Sequence, residues 1–491
     1  MRNINVNIND EKGKLNRFFS KCIGAGRAGE LLRFPVMAQL ERARRECGFE
    51  YIRFHGLFHE EMNVVRRNGC GKLEFCFAYA DMLFDKLLSI GVRPVCELGL
   101  MPDIMASEEK YVFWWKMNVS MPRDMGEWEA LIGAFVRHVT ERYGEEEIKK
   151  WYFEIWNEPN HPGFFTEYKN KEAYFKLYDA AARAIKGVNR EYRVGGPASA
   201  GMVWVDETME HCRENGVPLD FITSHTYGVR GDFDPDGNAI TVMRELDKVA
   251  NEVRVYGEKC HKNGLPFIVT EWSPSYSSTD PVHDHYFCAA YLLNTLKRSE
   301  GFAEMLSYWV VSDIFEEVAP PTEPFHGGFG LMTMQAVPKP IYHAYTFLAS
   351  LGETELECND ENAYVCKNGR GVQILAWNIV LPGKVENKKY FSGEISNGAA
   401  ESVSVSVGGF SAGKTYAVCR KTIGNGAGDP WLAYKSGKYG TLEKLGEAEM
   451  LSDASKPREE RFFVTADERG VLAFTLEQNE NQVDFAEIYF I

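Results

Sequence analysis

Trp151-Tyr152-Phe153-Glu154-Ile155-Trp156-Asn157-Glu158-Pro159 runs from an apolar segment into a turn. Aromatic and β-branched side chains favour a strand, and the Asn-Glu-Pro end is typical of the turn that follows one. Far downstream, Pro266-Phe267-Ile268-Val269-Thr270-Glu271-Trp272 repeats this plan. The chain therefore places two glutamates, Glu158 and Glu271, at the C-terminal ends of two predicted strands.

These two strands belong to an alternation of short apolar strands and amphipathic helices between Phe19 and about Leu351. The predicted strands are Ser20 to Gly24, Tyr51 to His55, Arg93 to Leu98, Trp151 to Trp156, Tyr192 to Gly196, Phe221 to Thr226, Phe267 to Glu271 and Met305 to Val311. The clearest predicted helices are Ala78 to Ile90, Met125 to Tyr143, Ala173 to Val188, Tyr286 to Arg298 and Ile341 to Leu351. Eight such units predict an α/β fold, the (β/α)8 TIM barrel, with functional residues at the C-terminal strand ends. Glu158 after strand four and Glu271 at the end of strand seven are then expected to face each other.

The rest of the chain has a different texture. After about Leu356, β-type segments are separated by Gly, Asn, Ser and Asp turns, which is typical of a β-sandwich. These segments include Tyr364 to Asn378, Val403 to Gly408, Thr415 to Val418 and Phe462 to Thr465. The opening Asn3 to Ile8 alternates polar and apolar residues, as an edge strand does. We therefore predict three parts: an N-terminal strand that joins the sandwich (1–18), a catalytic barrel (19–355) and a β-sandwich accessory domain (356–491).

Composition narrows the class of protein. The 491 residues carry a net charge of −15 and are 45% hydrophobic, which argues for a globular chain and against a nucleic acid or an anionic membrane as partner. The eleven cysteines include no CxxC pair and no zinc-type cluster, so thiols of a reducing compartment are expected. Residues Met1 to Asn9 lack the features of a signal peptide, which predicts a cytoplasmic location.

Two facing glutamates indicate a particular chemistry. Hydrolysis of a glycosidic bond needs a proton donor for the departing oxygen and an electron-rich partner for the anomeric carbon. One carboxylic acid and one carboxylate supply both. Either glutamate alone would as readily be a surface residue or half of an ion pair, but the barrel brings the two together.

Segments spread along the chain resemble a known family. They are Cys22 to Gly29, Tyr51 to Gly56, Trp156 to Pro159, Ser224 to Gly228, Thr270 to Trp272 and Glu323 to Leu331. In these segments the chain resembles the clan A glycoside hydrolases, and in detail family 39, which contains β-xylosidases and α-L-iduronidases. The bacterial β-xylosidases of that family share a barrel plus a β-sandwich, so the resemblance covers nearly the whole chain.

The resemblance implies roles for the two glutamates and for Asn157, which directly precedes Glu158. Glu158 would be the general acid/base and Glu271 the nucleophile of a retaining mechanism. Asn157 would bind the sugar 2-hydroxyl, a contact that strengthens as charge develops at the anomeric carbon.

Further pocket residues are expected from their strand positions. Arg53 is a charge in an apolar strand, which would either keep Glu271 ionised or form an ion pair with Glu154. His55 shares the orientation of Arg53, and His225 and Tyr227 share one orientation at the end of strand six.

Aromatic and loop residues complete the predicted pocket. Trp309 would offer a flat platform for a sugar ring, unless it is simply a core residue. Phe113, Tyr276 and Glu323 lie in loops that follow strands three, seven and eight and are predicted to contact substrate.

The sequence as a whole predicts a retaining, exo-acting β-xylosidase that acts on xylo-oligosaccharides or similar glycosides without a cofactor or a metal. Two alternatives remain at this point: another exo-glycosidase, acting on a β-glucoside, β-galactoside, arabinoside or α-L-iduronide, or a non-catalytic carbohydrate-binding protein. Whether the chain forms a homo-oligomer is left open.

Overall fold

The barrel forms as the alternation predicts. The computed structural model describes residues 2–393, 398–444 and 446–490. Within those ranges, eight parallel strands close into a barrel in chain order, β1 to β8. They are Cys22–Arg27, Tyr51–His55, Arg93–Leu98, Tyr152–Ile155, Arg193–Ala200, Phe221–Tyr227, Phe267–Ser273 and Met305–Tyr308. The predicted fold class is therefore confirmed.

One long helix follows each strand and covers the outside of the barrel. In chain order, α1 to α8 are Phe34–Cys47, Ala78–Ser89, Met125–Tyr143, Lys171–Val188, Val205–Asn215, Lys248–Lys262, Phe287–Ser299 and Pro340–Ser350. Helix α3 shows why these segments are helical. The carboxylate of Asp124 accepts the backbone N–H of Gly126 at 2.7 Å, which caps the first turn. Its apolar residues recur at helical spacing from Trp128 to Val139 and are buried against the barrel.

The interior of the barrel is layered. At the N-terminal end of the strands lies an apolar layer that includes Val95, Tyr152 and Ile268. Two residues further along their strands, the inward-facing positions of β3 and β4 are glutamates, Glu97 and Glu154, and both are fully buried. The buried polar residues of the barrel interior thus lie next to this apolar layer, toward the C-terminal ends of the strands.

Two larger sheets lie beside the barrel, in addition to two-stranded sheets in its loops. In the described part of the chain, a three-stranded sheet contains Arg2–Asn7, Glu401–Gly408 and Leu472–Gln478. A seven-stranded sheet contains Glu11–Lys14, Thr354–Leu356, Ala363–Asn368, Gly371–Trp377, Thr415–Ile423, Arg458–Thr465 and Val483–Tyr489. Ile4 and Val405 of the first sheet share one apolar cluster with Val365 and Ile374 of the second, as the inner faces of a β-sandwich do. The limits of the three domains stay a prediction.

One β-type segment differs from its sequence interpretation. Residues 364–378 read as a continuous strand, but the structure divides them into a hairpin whose arms pair antiparallel from Ala363↔Ala376 to Asn368↔Gly371. The reversal lies at Gly369 and Arg370, and the Asn368 side chain accepts backbone N–H bonds there. The Asn368-Gly369 pair favours a turn, and this local preference reverses the chain within an otherwise apolar segment.

All eleven cysteines are free thiols. Among the described helices, none is long and apolar enough to span a membrane.

Candidate active site

A cavity of about 450 Å³ opens at the C-terminal end of the barrel strands. Its walls come from strand ends and from the loops that follow them. The lining residues are His55, Phe113, Glu158, His161, Phe164, Ala200, Gly201, Thr226, Tyr227, Val229, Arg244, Glu271, Tyr276, Trp309, Glu317 and Phe329. Both glutamates that the sequence singled out therefore face one cavity.

Glu158 is held in an uncommon backbone conformation. Its φ is +43° and that of Trp156 is +70°, a region that non-glycine residues seldom adopt and that recurs at functional sites. Two contacts hold the turn: the Glu158 N–H donates to Ala198 O at 2.9 Å, and the Trp156 indole N–H donates to Phe164 O at 2.9 Å. The strand-to-turn segment thus directs the Glu158 carboxyl into the cavity.

The Glu158 carboxyl contacts the imidazole of His225. Nδ1 of His225 lies 2.9 Å from Glu158 Oε1. Burial raises the pKa of Glu158 to about 7, against the opposing charges of His161 and Arg53. Burial also lowers the pKa of His225 to about 4, so the imidazole is neutral at neutral pH. Glu158 can therefore carry a proton near neutral pH.

Glu271 has a cation and a hydroxyl donor against it. The Arg53 guanidinium makes a salt bridge with Glu271 Oε1, and the Tyr227 hydroxyl donates to Oε2 at 2.6 Å. Burial and the nearby negative charge of Glu271 raise the pKa of Tyr227 well above its usual value, so its proton stays in place. Both partners stabilise the ionised carboxylate.

Arg53 binds a group of buried carboxylates. Besides Glu271, it contacts Glu154 Oε2 at 2.9 Å and Glu97 Oε2 at 2.8 Å, and it donates to Asn157 Oδ1 at 2.7 Å. Burial alone would lower the pKa of Arg53, but these carboxylates hold it above its usual value. Both contacts considered from the sequence, to Glu271 and to Glu154, are present. A fully buried cation with several carboxylates is costly to assemble, which points to a functional reason for it.

His55 and Trp309 form the adjoining wall. Nδ1 of His55 lies 2.5 Å from Glu97 Oε2, and Nε2 lies 3.6 Å from Glu271 Oε1. The Trp309 ring centroid is 4.9 Å from that of His55 and 5.7 Å from the Arg53 guanidinium carbon. Gly24 permits this packing, because a Cβ there would lie 2.6 Å from a Trp309 ring atom.

The structure brings together most of the predicted site residues. Lining the cavity are Glu158, Glu271, His55, Tyr227, Tyr276, Trp309 and Phe113. Arg53, Asn157 and His225 are buried directly behind them and contact the two glutamates or each other. Glu323 lies elsewhere: its side chain is exposed and does not line the cavity.

Sequence reasoning missed Glu317, which does line the cavity. Burial and the negative charges of Glu271 and Glu158 raise its pKa to about 8. Its backbone oxygen accepts the Trp114 N–H at 2.7 Å, and its neighbour Glu316 is bound by Arg27 at 2.9 Å and by Arg33. The available signal was a Glu-Glu pair in the loop after strand eight, at the functional end of a barrel.

Phe164, His161 and Phe329 were also missed. The first two follow Glu158 within one loop, and Phe329 lies in the segment 323–331 that carried part of the family resemblance. No periodic pattern marks such loop residues.

Nitrogen and oxygen atoms of Glu158, His225 and Glu271 lie within 4.8 Å of one another, a spacing that also suits a metal ion. However, Arg53 and Tyr227 already engage the oxygens of Glu271. A cation beside the Arg53 guanidinium would be repelled by it. The arrangement is better suited to paired acid and nucleophile chemistry, and the expectation that no metal is needed stays a prediction.

Comparison with known proteins gives concordant matches. Residues 2–470 match the family model described as glycosyl hydrolases family 39. The chain is 41% identical over 362 residues to a beta-xylosidase of Caldicellulosiruptor saccharolyticus, covering 73% of this chain and 74% of the relative. It is 37% identical over 393 residues to a beta-xylosidase of Geobacillus stearothermophilus, covering 78% and 77% of the two chains.

A solved structure agrees over the full length. The crystal structure of a monomeric beta-xylosidase from Caulobacter crescentus CB15 superposes with a TM-score of 0.92 at 37% identity, covering 100% of this chain and 99% of the other. The likeness therefore includes the β-sandwich as well as the barrel.

Proposed function

The chain belongs to glycosyl hydrolase family 39, and from that premise we propose that it is a retaining, exo-acting β-xylosidase that releases xylose from the non-reducing ends of xylo-oligosaccharides. The observation that carries this proposal is the pair of carboxyls, Glu158 and Glu271, whose nearest oxygens lie within 4.8 Å. Retaining glycosidases hold their two carboxyls about 5 to 5.5 Å apart, whereas inverting enzymes need room for a water between them.

The two steps of the reaction follow from the surroundings of each carboxyl. In the first, the Glu271 carboxylate attacks the anomeric carbon while Glu158 gives its proton to the departing oxygen. In the second, Glu158 takes a proton from water, which attacks the same carbon and releases Glu271. Each step inverts the anomeric centre, so the product keeps the β configuration.

The contacts of Asn157 suit binding of the sugar 2-hydroxyl. Its Oδ1 accepts a bond from Arg53 at 2.7 Å, which leaves the amide NH2 as the group offered to substrate. Trp309 and Phe329 supply apolar surface for the sugar faces.

The choice of xylose rests on the two beta-xylosidase relatives and on the pairing of the one arginine that lines the cavity in the described residues. Arg244 donates to Tyr227 O at 2.8 Å and forms a salt bridge with Glu252. Because its charge is paired with Glu252 and two of its five N–H donors are already engaged, it is poorly placed to bind the carboxylate of a uronic acid. This disfavours an α-L-iduronide as substrate.

A panel of nitrophenyl glycosides tests the substrate. The β-xyloside should be hydrolysed fastest, ahead of the β-glucoside, β-galactoside, α-L-arabinoside and α-L-iduronide. A faster rate with any of these others would replace xylose in the proposal.

Proton NMR of early product tests the stereochemistry. The β-anomer should accumulate before mutarotation. Early α-xylose from a β-xyloside would show an inverting reaction and overturn the double displacement.

A further inference from the structure

A chain of hydrogen bonds runs behind Glu158 to the buried arginine. From His225, Nε2 lies 3.2 Å from Thr270 Oγ1, and that hydroxyl lies 2.7 Å from Glu154 Oε1. The other oxygen of Glu154 contacts Arg53 at 2.9 Å. The side chains of His225, Thr270, Glu154 and Arg53 are all fully buried, so no bulk water completes or interrupts the chain.

A β-bulge places Thr270 in this chain. Strand β7 pairs with β6 through Val269↔Ser224 and then Glu271↔His225, so Thr270 is the extra residue. The register of β7 with β8 shifts over the same stretch. In a regular strand Thr270 and Glu271 would point to opposite faces, but the bulge lets both reach the barrel interior. Thr270 thus lies beside the nucleophile in sequence and behind the acid in space.

The direction of each hydrogen bond follows from the charges. Glu154 is ionised: burial raises its pKa, but the Arg53 guanidinium and the hydrogen bond from the Thr270 hydroxyl hold that pKa below its usual value. A carboxylate only accepts, so the single hydroxyl proton of Thr270 must point at Glu154. The Thr270 oxygen can then only accept from His225, which requires the proton on Nε2.

We propose that Thr270 and Glu154 are positioning residues that fix the Nε2–H tautomer of His225, so that Nδ1 accepts the acid proton of Glu158. A neutral imidazole with its proton on Nε2 has a lone pair on Nδ1, and the facing carboxyl must supply the hydrogen. The inference rests on the proposed function in taking Glu158 as the acid. The buried residues His225, Thr270 and Glu154 then keep Glu158 protonated before the reaction begins.

The same hydrogen-bond chain also favours the second step of the reaction, in which water is deprotonated. Once Glu158 has given its proton to the leaving group, its carboxylate faces the Nδ1 lone pair and gains no hydrogen bond from it. The unpaired carboxylate is a stronger base, which favours removal of a proton from the attacking water. His225 itself neither gains nor loses a proton in either step.

Other ionisable groups also face Glu158 and His225. On the cavity side they are His161, Glu271, Tyr227 and Glu317. From β2 and β3 they are Arg53, His55 and Glu97, and Glu154 acts on His225 from β4. Glu271 Oε2 is 3.7 Å from His225 Nδ1 and Glu158 Oε1 is 2.9 Å from it, so the competing arrangement is an imidazolium donating between two carboxylates. That arrangement would leave Glu158 ionised at rest.

Thr270→Val separates these arrangements, with Thr270→Ser as its matched control. Without the hydroxyl, His225 is free to adopt the Nδ1–H tautomer and donate to the Glu158 carboxylate. Stabilising that charged form should move the alkaline limb of the kcat/KM profile down by about one pH unit. Serine keeps the hydroxyl, so its limb should stay with that of the unmodified enzyme. An unmoved limb in a folded Thr270→Val protein, or equal shifts in both variants, would overturn the proposal.

Nitrogen NMR of ring-15N histidine reads the tautomer in the unmodified protein and needs no substrate. The His225 signals, identified by their loss in His225→Gln, should show a protonated Nε2 and an unprotonated Nδ1 between pH 6 and 7. A proton on Nδ1, alone or with Nε2, would contradict the tautomer even if xylosides are hydrolysed. Conversely, the expected signals would stand if another sugar proved to be the substrate.

Discussion

Glu271 and Glu158 face one cavity from opposite surroundings. Glu271 contacts the Arg53 guanidinium and accepts a bond from Tyr227, so its negative charge is stabilised. Glu158 contacts a neutral imidazole instead, and burial raises its pKa to about 7. The difference shows how one barrel gives two identical side chains opposite electrostatic surroundings, through their partners rather than through their own chemistry.

The largest loss of activity is expected when Glu271, the proposed nucleophile, is removed. Glu271→Ala should lower kcat for an aryl xyloside by on the order of 10⁵-fold, because no covalent intermediate can form. A good leaving group should not restore it, and a dinitrophenyl xyloside should give no burst. Stopped-flow absorbance measures this, and appreciable turnover of the dinitrophenyl substrate would show that Glu271 is not the nucleophile.

Removing Glu158, the proposed acid, should give a loss of activity that depends on the leaving group. Glu158→Ala should slow hydrolysis of xylobiose by about 10²- to 10⁴-fold, because the departing alkoxide lacks a proton donor. Dinitrophenol leaves as a stable anion, so release should begin with a burst and then stall for want of a base.

Azide separates the two variants further. Since azide needs no base, it should restore turnover of Glu158→Ala and give β-xylosyl azide, while Glu271→Ala gives none. The reverse pattern would exchange the two assignments.

Weakening the support of Glu271 should have a smaller effect than removing the carboxylate. Tyr227→Phe deletes the 2.6 Å bond to Oε2 and leaves Arg53 in place. A hydrogen bond to a charged group contributes about 1.5 to 3 kcal/mol, so kcat should fall roughly 10- to 100-fold. A rate within twofold of the original would mean that Arg53 alone sets the state of the nucleophile.

The pH dependence reports on the acid side. Because burial raises the pKa of Glu158 to about 7, kcat/KM should be near its maximum just below that pH and fall about tenfold per pH unit above it. The sign follows from the role: the acid must be protonated to act. A limb that ends near pH 5 would indicate that Glu158 is ionised at rest. Chelator should leave the profile unchanged.

The smallest effect is expected at Glu317, and Glu323 in the same loop after strand eight provides the comparison. Glu317 lines the cavity and burial raises its pKa to about 8, so it can donate to a sugar hydroxyl at neutral pH. Glu317→Ala should lower kcat/KM about tenfold, the effect of one neutral hydrogen bond. Glu323→Ala is the matched control and should change kcat/KM less than twofold, because its side chain is exposed. Equal losses would place both residues in contact with substrate.

The barrel was predictable because its signals are local and repeated. Strands Tyr51–His55 and Arg93–Leu98 and helix Met125–Tyr143 have the predicted bounds, since apolar periodicity and a capping aspartate mark them. The two glutamates were predictable for the same reason: each lies close to the C-terminal end of such a strand.

What the sequence did not reveal depends on departures from regularity. The bulge at Thr270 turns two consecutive side chains inward, and strict alternation would assign them to opposite faces. Glu317 and Glu323 lie in one irregular loop, and only the contacts of that loop with Arg27, Arg33 and Trp114 decide which glutamate enters the cavity. Such contacts join residues far apart in sequence, so no local pattern encodes them.

Covalent trapping tests the division of roles most directly. A 2-deoxy-2-fluoro glycoside with a good leaving group, built on the sugar that the enzyme hydrolyses fastest, should form a long-lived intermediate because fluorine slows its hydrolysis. Peptide mass spectrometry should locate the glycosyl group on Glu271, with Glu158 unmodified. Label on Glu158, or a fast reaction that leaves no covalent adduct, would contradict the assignment of an ionised nucleophile and a protonated acid.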